Sequence, residues 1–403
     1  MNLSAELQWR GFVAEHTLDQ ISDLDKAPRN FYWGTDPSAD SLHIGHLAAL
    51  MMCACFVRHG YTPYYLVGGA TGQIGDPKDT AERDLKSLDE IEHNKRALAA
   101  QIIRVTHSPA DTQILDNNDW FSDIKFLPFL REIGKAFSMT QLLDRQFVQK
   151  RIGDGGSGIS YAEFSYTLIQ GYDFLHLFRT HYVDLQLCGA DQYGNCTSGI
   201  HLIKRLENAT ADCYSCPLII DKVTGRKFGK SEGNAVWLDA TKTSVYEFYQ
   251  FWLNQSDQAL EDYFKYFTFI MPDELTQILA EHQQNPAARL GQTRLAEEVT
   301  KVVHGADALK DVQQITHILF AGDHNHLSAA DVELLAKNIP TTTAGQSLID
   351  ILVATQLASS KNEARKFIAS NAISVNGIKV TSGQTISELS LIKKGKNKFA
   401  LVH

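Results

Sequence analysis

Residues 30–57 read NFYWGTDPSADSLHIGHLAALMMCACFV. Asn30 to Thr35 is aromatic-rich and stops at Asp36-Pro37, the pattern of a short strand running into a turn. Asp40 or Ser41 can then cap a helix that begins near His43. From Leu47 to Val57 eleven residues run apolar without a break. That is well short of the roughly 20 that span a bilayer, so the helix is expected to be buried on all sides and no membrane partner is expected.

The same order recurs along the chain. Tyr64–Gly69 (YYLVGG) reads as a second strand running into glycine. Leu185–Cys188 (LQLC) reads as a third, followed by GADQYGN and a helical stretch from Thr197 to Leu206. Strands that each give way to a glycine-bearing turn and a helix predict a parallel α/β sheet, with ligands at the carboxyl ends of its strands. Residues 221–233 (DKVTGRKFGKSEG) are charged and glycine-rich, hence a loop. Ser244 to Phe320 has a helical pattern, Ala321 to Gln346 is mixed and polar like a linker, and Ser347 to His403 reads as two helices followed by strands, with Asn376-Gly377 as a hairpin turn.

Length and charge agree with several domains. A chain of 403 residues exceeds one ordinary core. Its formal charge is −9, yet Thr341 to His403 carries eight Lys/Arg against three acids, net +5, which leaves −14 on the rest. A small basic module suited to phosphates is thereby attached to an acidic body. The N-terminal MNLSAELQWRGFVAEHT has Glu6 and Glu15 and no long apolar core, so a cytoplasmic location is the default expectation. Of the six cysteines, Cys188, Cys196, Cys213 and Cys216 could form a four-thiolate zinc site, but only the last two have ligand spacing, and no metal is assigned.

Three stretches carry chemistry. His43 and His46 lie three apart around Gly45 at a helix start, where unpaired N–H groups favour an anion such as phosphate; taken alone, the motif favours a packed histidine pair satisfied by local hydrogen bonds. Lys227-Phe-Gly-Lys230-Ser231 can stabilise charge developing on a phosphate oxygen, or be a solvated loop. Tyr166, Gln170 and Asp173 share one helix face, which is either a polar site or a stripe facing solvent.

Together, HIGH at a strand-to-helix turn and KFGKS about 180 residues later resemble the two hallmark sequences of class I aminoacyl-tRNA synthetases. With Tyr32, GGATGQIGDP, GADQYGN, SVYEFYQFWLN and LAEEVTKVVHG, the chain resembles the bacterial tyrosine-specific family over nearly its whole length. The resemblance implies a Rossmann-like parallel-sheet catalytic domain (1–220), a KFGKS loop linker (221–247), an α-helical anticodon-binding domain (248–322), a linker (323–344) and a C-terminal α+β S4 RNA-binding domain (345–403). It also implies residue roles. Tyr32 and Asp173 would bond the substrate phenol, Asp76, Tyr166 and Gln170 its α-ammonium, and Gln192 would lie near its carboxylate. Gly34, Asp36, Ser38, Gly45, Gly189 and Asp191 would border ATP, His43 and His46 its phosphates, and Lys227, Lys230, Ser231 and Arg83 the departing pyrophosphate. Lys204, Arg205, Lys361, Arg365 and Lys366 would meet tRNA(Tyr).

The implied reaction forms tyrosyl-adenylate from L-tyrosine and Mg²⁺-ATP, then transfers tyrosine to the terminal adenosine of tRNA, in a homodimer without a tightly bound prosthetic group. Trp33, Ala49 and Tyr193 depart from the family pattern. Three rivals remain at this point: a tryptophan-specific relative, a nucleotidyltransferase with the same histidine motif, and an RNA-binding protein with an inactive synthetase body.

Overall fold

The computed structural model describes residues 1–77, 86–143, 146–153, 156–220, 225, 228, 230–231, 234–321, 324 and 327–403. Two compact units emerge, one from Met1–Leu238 with Ser256–Gly291, the other from Asp239–Gln255 with Gln292–His403.

The first unit is built on strands β1 (Asn30–Thr35), β2 (Thr62–Val67), β3 (Gln113–Leu115), β4 (Leu185–Gly189) and β5 (Asp212–Cys216), in the order β3-β2-β1-β4-β5. Every adjacent pair is parallel, as the strand–glycine–helix alternation predicts. Consecutive burial of Phe31, Tyr32 and Trp33 in β1 reflects a strand covered on both faces. The order reverses between β1 and β4, and at such a switch point the crevice beyond the strand ends is the natural ligand site. Two strands escaped the sequence reading, β3 being only three residues long and β5 (DCYSC) having no apolar alternation.

Ile44–Arg58 is the expected buried helix, with Leu47, Leu50, Met51, Phe56 and their neighbours shielded from solvent. Its cap differs from expectation. The N-cap is His43, because Ser41 is itself buried and bonded to Leu42 O and Gln101 Oε1. The Tyr161–His181 and Tyr193–Glu207 helices pack closely through glycine: a Cβ on Gly199 would lie 2.7 Å from Phe174 Cβ. Elsewhere in the unit, buried Arg10 accounts for the end of the Leu260–Phe267 helix. Its guanidinium donates to the carbonyls of Lys265 and Thr268, both at 2.8 Å, while Nε pairs with Glu6 at 2.7 Å. Those carbonyls have no intrahelical partner, so the arginine serves as a C-cap contributed from a distant part of the sequence.

The second unit contains the Val245–Leu253, Leu290–His304 and Ala306–Ala321 helices and a five-stranded sheet. In that sheet Ile378–Lys379, Ile373–Val375, Ser390–Lys394 and Lys398–Val402 run antiparallel in that order, and Thr341–Thr342 adds a parallel edge. Asn376 and Gly377 both take positive φ, the requirement of the predicted two-residue hairpin. The Leu348–Ala354 and Lys361–Ala369 helices cover a core of Leu348, Ile351, Leu352, Ala364, Ile368, Ile392 and Ala400. The stretch read as a linker carries order as well. Ser328 and Asp331 form a capping box on an Ala329–Ala336 helix whose Leu335 is buried. Among the described residues, no helix is long and apolar enough to cross a membrane.

Candidate active site

A cavity of about 630 Å³ opens at the carboxyl ends of β1, β2 and β4. Each element delivers part of the predicted set. Tyr32, Gly34, Asp36 and Ser38 come from the end of β1, His43, Gly45 and His46 from the helix start, and Asp76 from the segment after β2. Tyr166, Gln170 and Asp173 come from one face of the Tyr161–His181 helix, and Gly189, Asp191 and Gln192 from the turn after β4. Trp33 and Ala49 also line the cavity, whereas Tyr193 packs against the cysteines beside β4. Lys204, Arg205, Lys361, Arg365 and Lys366 are exposed on the surface of their units.

The two histidines cap the helix reciprocally. His43 Nδ1 accepts from Gly45 N at 3.0 Å, and His46 Nδ1 accepts from His43 N at 3.3 Å. This is a capping box in which imidazoles replace the usual hydroxyl and carboxylate. Both Nδ1 atoms being acceptors, each neutral ring carries its proton on Nε2. The rings are 4.1 Å apart. Gly45 is needed for this arrangement, because a Cβ there would stand 2.7 Å from His43 Cε1. What approaches the Gly45 backbone is thus first the neighbouring imidazole.

The second motif reaches the same place. Val236–Leu238 pairs with the strand-like lead-in to the helix: Ile44 N donates to Val236 O at 3.0 Å, Leu238 N to Leu42 O at 2.8 Å, and His43 bridges Trp237. Phe228 of KFGKS is buried, stacked on Phe267 at 5.4 Å. Lys230–Ser231 forms a short hairpin with Asn234–Ala235. The side chains of Lys230 and Ser231, and all of Lys227 and Arg83, lie outside the described residues.

The deep end is polar and buried, with Tyr166 and Asp173 shielded and Gln170 partly so, and the three are therefore not a solvent-facing stripe. Asp173 is buried, its Oδ1 accepting from Trp120 Nε1 at 2.9 Å and its Oδ2 from Asn117 Nδ2 at 3.1 Å. Burial pushes its pKa well above the usual carboxylate range, and those two donors act in the opposite sense. Tyr166 donates to Asp36 Oδ2 at 2.9 Å, and Gln192 Nε2 donates to Asp76 Oδ2 at 2.8 Å. Burial raises the pKa of the Tyr32 and Tyr166 hydroxyls, keeping both protonated. Among the described residues, three buried side-chain atoms of residues lining this cavity have no hydrogen-bond partner: Tyr32 Oη, Gln170 Oε1 and Gln186 Oε1. Such atoms cost about 1–3 kcal/mol each unless a ligand pairs them.

Asn117 and Trp120 were not anticipated from the sequence. Asn117 also accepts from Ala70 N at 2.7 Å, tying the turn after β2 to Asp173. Of the four cysteines weighed as zinc ligands, Cys188, Cys196 and Cys213 come together, while Cys216 stands outside the group.

A family model for class I tRNA synthetases of the W and Y type matches residues 24–321, and one for the tyrosine–tRNA ligase SYY-like C-terminal domain matches residues 331–402. The chain is 41% identical over 416 residues to the tyrosine–tRNA ligase of Leuconostoc mesenteroides, covering 100% of this chain and 99% of that one. It is 42% identical over 421 residues to that of Leuconostoc citreum, with the same coverage. The chain belongs to the tyrosine–tRNA ligase family. A C-terminally truncated mitochondrial tyrosyl-tRNA synthetase from Aspergillus nidulans superposes with a TM-score of 0.70 at 27% identity, over 79% of this chain and 94% of that one. A tryptophanyl-tRNA synthetase from Encephalitozoon cuniculi, at 15% identity and a TM-score of 0.56 over 82% of this chain and 91% of that one, shares the fold. The motif resemblance is therefore borne out, and the tyrosine–tRNA ligase family supplies the chemistry against which the cavity is read.

Proposed function

We propose that this cavity carries both steps of tyrosine–tRNA ligation with the residues named from the motifs. The enzyme activates L-tyrosine with ATP and transfers it to the terminal adenosine of tRNA(Tyr). The observation that carries the assignment is the unpartnered Tyr32 Oη and Gln170 Oε1, two of those three buried atoms. A tyrosine phenol gives the Tyr32 hydroxyl its missing bond beside the carboxylate of Asp173, and an α-ammonium donates to Gln170 Oε1. The ammonium also meets oxygen at Tyr166, whose proton is committed to Asp36, and at Asp76. Phenylalanine would leave the Tyr32 hydroxyl unpaired.

The tyrosine carboxylate, beside Gln192, attacks the α-phosphorus of Mg²⁺-ATP, whose ribose lies against Asp36 and Asp191 and whose path is cleared by Gly34, Ser38 and Gly189. The Nε2 protons of His43 and His46 stabilise charge on the phosphate oxygens as the phosphorus becomes five-coordinate. Lys227, Lys230, Ser231 and Arg83 take the departing pyrophosphate. No side chain acts as nucleophile, so rate comes from positioning and charge. Exposed Lys361, Arg365 and Lys366 on one helix support reading 345–403 as an S4-type RNA-binding module; the family resemblance makes 248–322 the anticodon-reading helical region. Lys204 and Arg205 meet the acceptor arm.

A homodimer is supported by large apolar side chains left exposed between residues 126 and 161, among them Phe126, Leu127 and Tyr161, around a groove of about 320 Å³. A cytoplasmic location completes the reading. Amino-acid-dependent ATP–pyrophosphate exchange tests the assignment: exchange with tyrosine and none with phenylalanine or tryptophan is expected, and exchange driven by tryptophan, or by no amino acid, overturns it.

A further inference from the structure

Behind the substrate turn lies a cluster that the ligation chemistry does not use. Cys188 on β4, Cys213 on β5 and Cys196 in the first turn of the Tyr193–Glu207 helix are all buried, with sulfur atoms within 4.8 Å of one another. Cys188 Sγ and Cys213 Sγ are 3.7 Å apart. Two thiolates on one tetrahedral zinc, with bonds of about 2.3 Å, stand about 3.8 Å apart. We propose that Cys188, Cys196 and Cys213 form a binding site for a soft divalent cation of the Zn²⁺/Cd²⁺ class.

Three converging protein ligands are the number found where zinc keeps one position for water. Soft thiolate donors select such ions over Mg²⁺ or Ca²⁺, so the ATP-bound Mg²⁺ does not compete. Cys188 lines the substrate cavity, which gives the ion a route in and a water for the fourth position. Binding releases protons and needs no oxidant: M²⁺ and three Cys–SH give the three-thiolate complex and three H⁺, which leave for solvent. The surroundings are apolar, with Tyr193 and Ile200 packed against the sulfurs.

The location gives occupancy a consequence. Cys188 and Cys196 bracket the turn that carries Gly189, Asp191 and Gln192, so an ion would tie together the two ends of a substrate-lining segment. Metal and tyrosine are then coupled through that turn.

The test uses the full chain, fully reduced and stripped of metal, with Cd²⁺ as probe. Native mass spectrometry and the thiolate-to-metal ultraviolet band should report one ion per chain. Cys196→Ala and Cys213→Ala should each weaken binding by more than the roughly 10–100-fold that loss of outer-shell support costs, while Cys55→Ala, outside the group, should bind as the parent does. Tyrosine-dependent pyrophosphate exchange with Mg²⁺ as the sole divalent ion checks that each variant is folded. Cd²⁺ should inhibit that exchange in the parent and not in Cys196→Ala. Absence of a bound ion in the parent, or equal affinity in parent and Cys196→Ala, overturns the proposal.

Discussion

At Tyr32 the fold carries a buried hydroxyl without a partner among the described residues, the group proposed to bond the substrate phenol. Replacing Tyr32 by Phe removes that hydroxyl without opening a cavity, so thermal stability should hold or rise slightly. The KM for tyrosine should rise and discrimination against phenylalanine should fall, as read by pyrophosphate exchange with both amino acids. A stability loss with unchanged selectivity would remove Tyr32 from the phenol site. For His46 the two readouts separate differently. His46→Ala loses the N3 half of the capping box, at most about 1 kcal/mol, and with it the proposed donor to the phosphates, worth about 2.7–4 kcal/mol in the transition state. Single-turnover adenylate formation should therefore slow by about 100-fold or more, with tyrosine affinity nearly unchanged; an equal loss in both would contradict the phosphate role.

Elements differ in how plainly the sequence announces them. β1, β2 and β4 are legible because aromatic or branched residues run directly into glycine, and the Ile44–Arg58 helix because its apolar run is too long for a strand. β3 and β5 are recognisable only through their neighbours, whose backbone groups they pair. The site was legible wherever the motif itself contains the chemistry, as in HIGH and the Tyr166/Gln170/Asp173 face. Asn117 and Trp120 were not, because one precedes and the other lies within a four-residue helix, too short for any periodicity, and they matter only through their aim at Asp173.

Arg10 is a similar case, since its helix-capping role depends on carbonyls some 255 residues away. Glu6 holds it, together with Arg58 at 3.3 Å and His59 at 2.9 Å. Burial raises the Glu6 pKa, but hydrogen bonds from Arg10 and His59 outweigh it, and the net shift is downward. A depressed carboxylate stabilises the fold above its unfolded pKa of about 4.3, and that contribution is lost as pH falls through the lower folded value. Glu6→Gln should destabilise by about 3–5 kcal/mol at pH 7. The gap from the parent should shrink below about pH 4, as followed by denaturant unfolding at both pH values; a gap independent of pH would mean that the charge is not what matters.

For the molecule as a whole, association and RNA binding can be perturbed separately from catalysis. Leu127, 74% exposed, can take aspartate without disturbing a core. In the proposed homodimer, Leu127→Asp should shift sedimentation from dimer to monomer, and an unchanged dimer would place the interface elsewhere. Lys361, Arg365 and Lys366 are likewise exposed. Replacing all three by alanine should leave pyrophosphate exchange intact and weaken tRNA binding. The slope of log K against log salt should flatten by about 0.7–0.9 for each phosphate that is no longer neutralised. An unchanged salt slope would remove this helix from the RNA surface.

The histidine cap has one more implication, for the protein's history under selection. Serine, threonine, aspartate and asparagine are better N-caps than histidine, and glutamate closes the box better than a second imidazole. Any lineage choosing only for a firmer helix start would drift towards Ser or Asp at 43 and Glu at 46, and would lose the imidazole donors proposed for the phosphates. Evolution for heat tolerance without a screen for charging should therefore erode these two positions early, making them a sensitive marker of whether function was still being selected.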